Sequence, residues 1–202
     1  MSGSRIVLVS GCLISAGLSG CADTGRLFQM HTSANRRADA ERSWRAVRAK
    51  VKLQLAQNLL DSGNTKEARA ALQEVADSND PAVLLMLAKI ELAEGHLSGA
   101  RQAATSALAI PDAGAEAYYV AGLVEERYEN YVEAAKDFES ARLMAPSDAD
   151  YLLAQAEALV KLSRPVEAIK LVEAHTPDFP DEVSLRLFVA ETNEMLDRKS
   201  VV

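Results

Sequence analysis

The chain offers few side chains capable of nucleophilic or metal-binding chemistry. It has 202 residues with two cysteines, Cys12 and Cys21, and three histidines. His31 lies in a segment without hydrophobic periodicity, His96 in a predicted turn and His175 near a predicted helix end. The sequence contains no Gly-rich phosphate loop, no His-Glu-x-x-His and no Gly-x-Ser-x-Gly. We therefore expect a non-enzymatic protein with no catalytic residue, no metal site and no cofactor.

Three glutamates form an acidic cluster in the sequence. Glu125, Glu126 and Glu129 fall close together near the end of a predicted helix. Carboxylates of this kind would hold a cation only if further oxygen ligands joined them. A solvated helix face is therefore the preferred interpretation.

The first residues have the pattern of an export signal. Arg5 is followed by the apolar run Ile6–Leu18, which is too short to span a bilayer but suits the apolar core of a signal peptide. The next residues, Leu18-Ser19-Gly20-Cys21, resemble the lipobox of bacterial lipoproteins. The resemblance implies that residues 1–20 are a signal peptide and that the thiol of Cys21 carries a lipid. Cys12 would leave with the signal peptide, so no thiol would remain for a disulfide or a nucleophile.

The residues after Cys21 bear on the location and on the linker. In lipoproteins of Gram-negative bacteria an Asp directly after the lipidated Cys favours retention at the inner membrane. Ala22 stands there instead, so the resemblance implies a lipid-anchored protein of the cell envelope, at the outer membrane and facing the periplasm. Residues 21–35 carry scattered Gly, Thr, Ser, Asp and His without periodicity and are predicted to form the lipidated Cys and a flexible tether.

A long helix is predicted from about Arg36 to Ser62. Hydrophobic residues recur along it at three- and four-residue steps and define one face. They are Trp44, Val47, Val51, Leu55 and Leu59. The same segment carries a cluster of cations that we call the basic collar. It consists of Arg36, Arg37, Arg42, Arg45, Arg48, Lys50 and Lys52.

The basic collar contrasts with the rest of the chain, where residues 53–202 contain 13 Lys or Arg and 26 Asp or Glu. It is interpreted as a solvated helix face, and contact with anionic headgroups or with an acidic partner is the alternative. Nucleic acid is not expected as a partner, because the body of the protein is acidic and exported.

The centre of the chain is organised by a repeat, which is clearest in Ala115–Asp148. Aromatics are only 5% of the chain, and Ala and Leu dominate, which favours close-packed helices. The segment resembles the tetratricopeptide repeat (TPR), a helix–turn–helix of 34 residues with small, aromatic and proline residues at fixed offsets. The positions that carry the resemblance are Tyr118, Ala121, Gly122, Ala134, Phe138, Ala141 and Pro146. One departure is visible, since Glu125 replaces the usual aromatic residue of the first helix and Tyr128 follows a turn later.

The predicted repeat domain spans residues 36–202, and the same pattern recurs within it. Its small residues Ala68, Ala100, Ala134 and Ala168 are regularly spaced, and turns are predicted near Gly63, Gly95, Glu129 and Ser163. The predicted repeats span about 49–80, 81–114, 115–148 and 149–182. A helix over 183–199 would cap the array, or would be the first helix of a fifth repeat in a longer one. The resemblance implies an all-α fold, a right-handed α-solenoid of about four such units.

The resemblance also implies a binding surface. In tetratricopeptide arrays the first helices of successive repeats line a concave groove that receives a peptide or a helix of a protein partner. The corresponding positions are Gln57, Leu85, Met86, Lys89, Tyr119, Leu123, Glu126, Arg127 and Glu157. Among these Met86, Tyr119 and Arg127 are predicted to contribute most to binding. The alternative for several of the leucines is a place in the core.

Three functional hypotheses follow. The first is an adaptor similar to the tetratricopeptide lipoproteins that assist assembly of pili or secretion systems, including those of Flp/Tad-type pili. The second is a scaffold that recruits cell-wall hydrolases or proteases. The third is a structural lipoprotein that associates with copies of itself into a homo-oligomer.

Overall fold

The structure, a computed structural model, describes residues 21–76, 80–111 and 113–200. The signal peptide predicted for 1–20 lies outside the described residues. Within these ranges the chain forms α-helices, one short 3-10 helix and no strand, so the all-α prediction is confirmed. The helices are α1 (Cys21–Asp61), α2 (Thr65–Gln73), α3 (Pro81–Ala93), α4 (Leu97–Leu108), α5 (Ala115–Arg127), α6 (Tyr131–Met144), α7 (Ala149–Lys161), α8 (Pro165–His175) and α9 (Val183–Ser200), and the 3-10 helix is Thr176–Asp178.

The start of α1 differs from the sequence prediction. The sequence predicts a flexible tether over residues 21–35, whereas the structure describes Cys21–Asp61 as one helix. The physical reason is that this segment has no proline and a single glycine, Gly25, and that adding residues to an existing helix avoids the cost of a new nucleus. No helix in the described part of the chain combines the length and apolar character needed to cross a bilayer.

The described residues divide into two units, of which the first ends at Trp44 and the second begins at Arg45. The second unit contains the repeats as the helix pairs α1–α2, α3–α4, α5–α6 and α7–α8, of which α1 contributes only its part after Trp44. Consecutive helices from α2 to α9 pack on one another, and α3 also packs on α5. This stacking of helix pairs is the arrangement of an α-solenoid.

All four pairs are joined by the same left-handed turn. The residue in the left-handed region is Gly63 (φ 78°), Gly95 (φ 78°), Glu129 (φ 61°) or Ser163 (φ 61°). In the first turn the N–H of Gly63 donates to the carbonyl of Leu60 at 2.9 Å, and the other three turns repeat this bond. These bonds satisfy carbonyls at the end of the first helix of each pair. The turns predicted from the sequence are thus confirmed at all four places.

Small residues allow the helices of each pair to approach closely. Ala68, Ala100, Ala134 and Ala168 each have no exposed surface. They are the recurring small positions that the sequence identified. At the end of the chain Leu185 of α9 is buried in the cluster formed by α7 and α8. Helix α9 therefore covers the last apolar face of the described repeats.

Candidate protein-binding surface

The first helices α3, α5 and α7 present a continuous set of side chains, which we call the first-helix face. Lys89 of α3 donates to the carboxylate of Glu116 of α5 at 2.7 Å. The rings of Tyr119 of α5 and Tyr151 of α7 lie 5.1 Å apart between centroids at 43°. The first-helix face consists of Lys89, Glu116, Tyr119, Leu123, Glu126, Arg127, Tyr151 and Glu157.

Tyr119 is the centre of this face. Its ring also lies 5.7 Å from the ring of Phe138, which is almost fully buried in α6. Burial raises the pKa of the Tyr119 phenol above its ordinary value, and the charge of Asp150 raises it further. The phenol therefore stays protonated at physiological pH and remains a hydrogen-bond donor. A rigid aromatic group with an available donor is a favourable anchor for a partner segment.

Carboxylates lie close to the tyrosine pair, since the charges of Glu157 and Glu126 both act on the Tyr119 phenol. Glu157 is exposed and Glu126 is half-buried, and Arg127 is an exposed residue of α5. Partial desolvation raises the pKa of the Glu157 carboxyl, the negative charge of Glu126 raises it further, and Lys161 opposes the effect. Two carboxylates that repel each other in this way are stabilised by an added cation. This part of the surface therefore favours a basic group of a ligand.

Two residues predicted to line the groove do not reach it. Leu85 is 3% and Met86 is 8% exposed. Leu85 packs in the cluster with α4 and α5, whereas Met86 packs in the cluster with α1 and α2. The prediction is wrong here because nearly every residue of α3 is apolar, so hydrophobic periodicity does not distinguish its buried sides from its exposed side.

The remaining predicted positions are accessible to different degrees. Gln57 is half-buried, and its amide donates to Asp61 at 2.6 Å within the same helix. Leu123 is half-buried against the clusters on both sides of α5. Lys89 is tied to Glu116, as described. The first-helix face therefore depends mainly on α5 and α7.

The basic collar is partly used inside the first repeat. Arg48 and Lys52 of α1 both donate to the carboxylate of Glu74, at 3.0 and 2.8 Å. These bonds lower the pKa of Glu74, with Lys52 the larger cause. In the first unit Arg42 pairs with Asp39. Both interactions hold collar residues to nearby carboxylates.

The apolar side of α1 also differs from expectation. Val47, Val51 and Leu55 are 56%, 61% and 42% exposed, and Trp44 in the first unit is 66% exposed. Of the predicted face, Leu59 does pack against the core. The buried positions are Ala49 and Ala56, with Leu53 and Leu60 packed beside them. These four residues form a second apolar stripe with the spacing of a helix face. Small alanines allow close helix packing, which is why this stripe is buried in place of the one with larger residues.

A group of two carboxylates and an imidazole lies at the end of α3. Side-chain ligand atoms of Glu91, Glu94 and His96 lie within 4.8 Å of one another. Arg69 of α2 donates to Glu91 at 2.6 Å and also pairs with Glu94. These hydrogen bonds hold the pKa of both carboxyls below their ordinary value. The group is an ion-pair network that joins the first repeat to the second, and the guanidinium takes the place that a cation would need.

Comparison with known proteins identifies the repeat. The profile of a family described as Tetratricopeptide repeat matches residues 53–117 and 119–183. No curated protein sequence matches the chain.

Solved structures with a similar fold have low sequence identity. A structure of MamA residues 41 to the end from Desulfovibrio magneticus RS-1 has a TM-score of 0.60 and 22% identity, over 74% of this chain and 86% of that one. Another MamA structure has a TM-score of 0.58 and 19% identity, over 70% and 84%. The APC/C hetero-tetramer Cut9–Hcn1 gives 0.62 and 19%, over 70% of this chain but only 29% of that chain. At these identities the likeness concerns the fold alone.

Proposed function

The chain belongs to the tetratricopeptide repeat family, and on that premise we propose that it is a lipid-anchored scaffold of the bacterial envelope that binds a protein partner on its first-helix face. Members of the family generally mediate interactions between proteins. The role proposed for this member is to assist the assembly of an envelope complex such as a pilus or a secretion system. The anchor is proposed to be a lipid on Cys21, at the outer membrane and facing the periplasm.

The observation that supports the binding role is the Tyr119–Tyr151 pair. Its rings join two successive repeats, so a ligand lying across them would contact both at once. Aromatic groups gain much from desolvated contacts and lose little conformational entropy on binding. This makes the tyrosine pair the energetic centre of the proposed surface.

The surrounding charges define the chemistry of the partner. The mutual repulsion of Glu126 and Glu157 favours a lysine or arginine between them, and Arg127 favours a carboxylate at the edge. The partner is therefore proposed to present a short segment with an apolar or aromatic side chain beside a basic one. Binding of this kind requires no catalytic group.

The binding role is tested by crosslinking the lipidated protein in its native envelope and identifying captured proteins by mass spectrometry. The variant Tyr119→Ala with Arg127→Ala should lose the partner that the wild type captures. A matched variant, Tyr131→Ala with Arg198→Ala, removes the same residue types outside the first-helix face and should keep it. Equal capture by both variants would contradict the proposed surface.

The identity of the captured proteins distinguishes an assembly role from a recruiting role and from self-association. Pilus or secretion components would support the assembly role, whereas cell-wall hydrolases or proteases would replace it with a recruiting role. Capture of further copies of this chain alone would indicate a self-associating structural protein.

The anchor is tested independently of the partner. Cys21→Ser should leave the protein either unprocessed or released from the membrane fraction. Recovery of a mature-length Cys21→Ser chain with the membrane would refute the lipid anchor while leaving the scaffold role intact.

A further inference from the structure

Two successive repeat interfaces are joined by an ion pair at equivalent positions. In the first, Arg69 directly follows the buried Ala68 and donates to Glu91 of α3 at 2.6 Å. In the second, Arg101 directly follows the buried Ala100 and donates to Glu125 of α5 at 2.8 Å. The guanidinium of Arg101 also lies 3.6 Å from the centroid of the Tyr128 ring. A long side chain therefore occupies the gap between the second helix of one repeat and the first helix of the next.

The third interface lacks this pair. The residue after the buried Ala134 is Ala135, and Leu159 of α7 stands where the first two interfaces have a glutamate. Alanine is too short to span the gap, and Leu159 packs in the core with 5% exposure, so no charged side chain bridges this interface at these two positions. The third interface therefore has two apolar residues where the first two have a charged bridge.

An open cleft of about 460 Å³ lies at this position between α6, α7 and α8. Its floor is formed by Val132 and Ala135 of α6, by Leu159 and Leu162 at the end of α7, and by Leu171 of α8. The corresponding cleft at the second interface is lined by charged and amide side chains, including Arg101 and Glu125. The apolar floor is thus a property of the third interface and does not follow from the repeat alone.

The rim of the cleft is basic, although the whole chain carries a formal charge of −7. Four cations and two carboxylates surround the floor. They are Lys136, Arg142, Arg164, Lys170, Glu139 and Glu167.

Two of these cations are held by neighbours, since Arg164 is paired with Glu167 and Arg142 donates to Gln155 at 2.8 Å. Lys170 makes no ion pair within the described residues, and the ion pair of Lys136 with the exposed Glu133 is long, at 3.6 Å. Two lysines beside an apolar floor are therefore available to carboxylates of a ligand.

We propose that the cleft between α6, α7 and α8 is a second docking site, which receives one large apolar side chain from an acidic segment of a partner protein. The apolar side chain contacts Leu159 and Leu171 on the floor, and carboxylates next to it pair with Lys136 and Lys170. The volume lies in the range of ligand pockets and has room for one leucine or phenylalanine side chain. The site does not depend on the first-helix face, which has the opposite charge preference.

The proposal is tested with a defined peptide and the full chain. The probe is a labelled hexapeptide, Glu-Glu-Leu-Phe-Glu-Glu, titrated while the methyl groups of Val and Leu are observed by NMR. Peptide binding should shift the methyl signals of Val132, Leu159, Leu162 and Leu171. Replacing the two apolar residues of the peptide by alanine should weaken binding by about tenfold or more, because the floor then loses its contact. Failure of the probe to bind, or shifts confined to other methyl groups, would overturn the proposal.

Variants of the protein test whether the peptide binds at the cleft or is held by general electrostatic attraction. Ala135→Met fills the cleft, and Lys136→Glu with Lys170→Glu reverses the rim; each should weaken peptide binding by about tenfold or more. Lys66→Glu with Arg198→Glu makes the same change of net charge at exposed positions of α2 and α9 and should leave the affinity within about twofold. Equal weakening by this control would overturn the site in favour of non-specific attraction.

Self-association is a further outcome of the test. If the wild type forms a dimer that Ala135→Met abolishes, the cleft is occupied by a second copy and the proposed acidic partner is wrong. A wild type that sediments as a monomer while binding the probe supports the proposal.

Discussion

The ring of Phe138 in α6 lies directly against the α-carbon of Gly122 in α5. A Cβ atom placed on Gly122 would stand 2.5 Å from Cε1 of Phe138, closer than any stable contact between carbon atoms. Phe138 is 1% exposed and belongs to the cluster that joins the third repeat to the fourth. The missing side chain of Gly122 is therefore what allows the aromatic residue of the second helix to reach the core.

Replacing Gly122 by alanine should lower the free energy of unfolding by about 1–3 kcal/mol, the usual cost of overpacking. The measurement is urea-induced unfolding followed by circular dichroism. Phe138→Leu should also destabilise the protein, but by less in the Gly122→Ala background than in the wild type, since leucine relieves the clash. Strictly additive effects of the two substitutions would show that the clash does not limit packing here.

Two of the four turns hold a residue with a side chain in a conformation that favours glycine. Glu129 and Ser163 both have φ of 61°, where Gly63 and Gly95 have 78°. Glu129→Gly and Ser163→Gly should each raise the free energy of unfolding by about 0.5–1 kcal/mol, because relief of backbone strain exceeds the added entropy of the unfolded chain.

The reverse substitution provides the control. Gly95→Ala should lower the stability by about 1 kcal/mol, and a Cβ there would meet no atom within 4 Å, so the loss would report the backbone alone. A loss of stability in Glu129→Gly would contradict the argument from strain.

The sequence predicts the helix pairs well because their signals are local. Turn residues at the four left-handed positions and buried alanines at regular spacing each depend on a few neighbouring residues. The cap of α3 is equally local, because Asp80 stands directly before Pro81 and accepts a bond from the N–H of Ala82 at 2.9 Å.

Surfaces are predicted less well, because they depend on which sides of a helix its neighbours cover. The apolar sequence of α3 gives no preferred face, so Leu85 and Met86 were assigned to the groove although they are buried. On α1 two apolar stripes compete, and the stripe of Ala49 and Ala56 is the buried one. The cleft at Ala135 requires the packing of three helices and has no signal in a single segment.

Arg69 is expected to contribute to stability through its two carboxylates. Its side chain is 30% exposed, and those of Glu91 and Glu94 are 14% and 15% exposed. Arg69→Met should destabilise the protein by about 2 kcal/mol at neutral pH, because both charges then lack their main partner in a partly desolvated position. Arg198→Met breaks an exposed pair with Glu194 on α9 and should cost less than about 0.5 kcal/mol.

The Arg69 effect has a defined pH dependence. The pKa values of Glu91 and Glu94 are lowered in the folded protein, so their contribution is present above the unfolded pKa and is lost as pH falls through the lowered values. The difference in stability between Arg69→Met and the wild type should therefore shrink in acid. A difference that stays constant down to acid unfolding would show that Arg69 acts through packing alone.

The contribution of Asp137 in α6 to stability changes with pH in the opposite direction to that of Glu91 and Glu94. The pKa of Asp137 is raised to about 6, mainly by burial and further by the charges of Glu125 and Glu133, while Lys136 acts in the opposite direction. Between its ordinary value of 3.8 and about 6 the folded state binds more protons at this group than the unfolded state does. This group therefore makes stability fall as pH rises through that window, the reverse of an ion-paired carboxylate.

Asp137→Asn should raise the free energy of unfolding by about 1 kcal/mol at neutral pH, after allowance for screening by solvent, and should have little effect near pH 4. The measurement is urea unfolding of wild type and variant at matched pH values across this window. Glu139→Gln removes an exposed carboxylate from the same helix and controls for the change in net charge. If both variants gain the same stability at neutral pH, general repulsion in an acidic chain is the cause. A gain confined to Asp137→Asn would locate the penalty in the partly buried carboxylate itself.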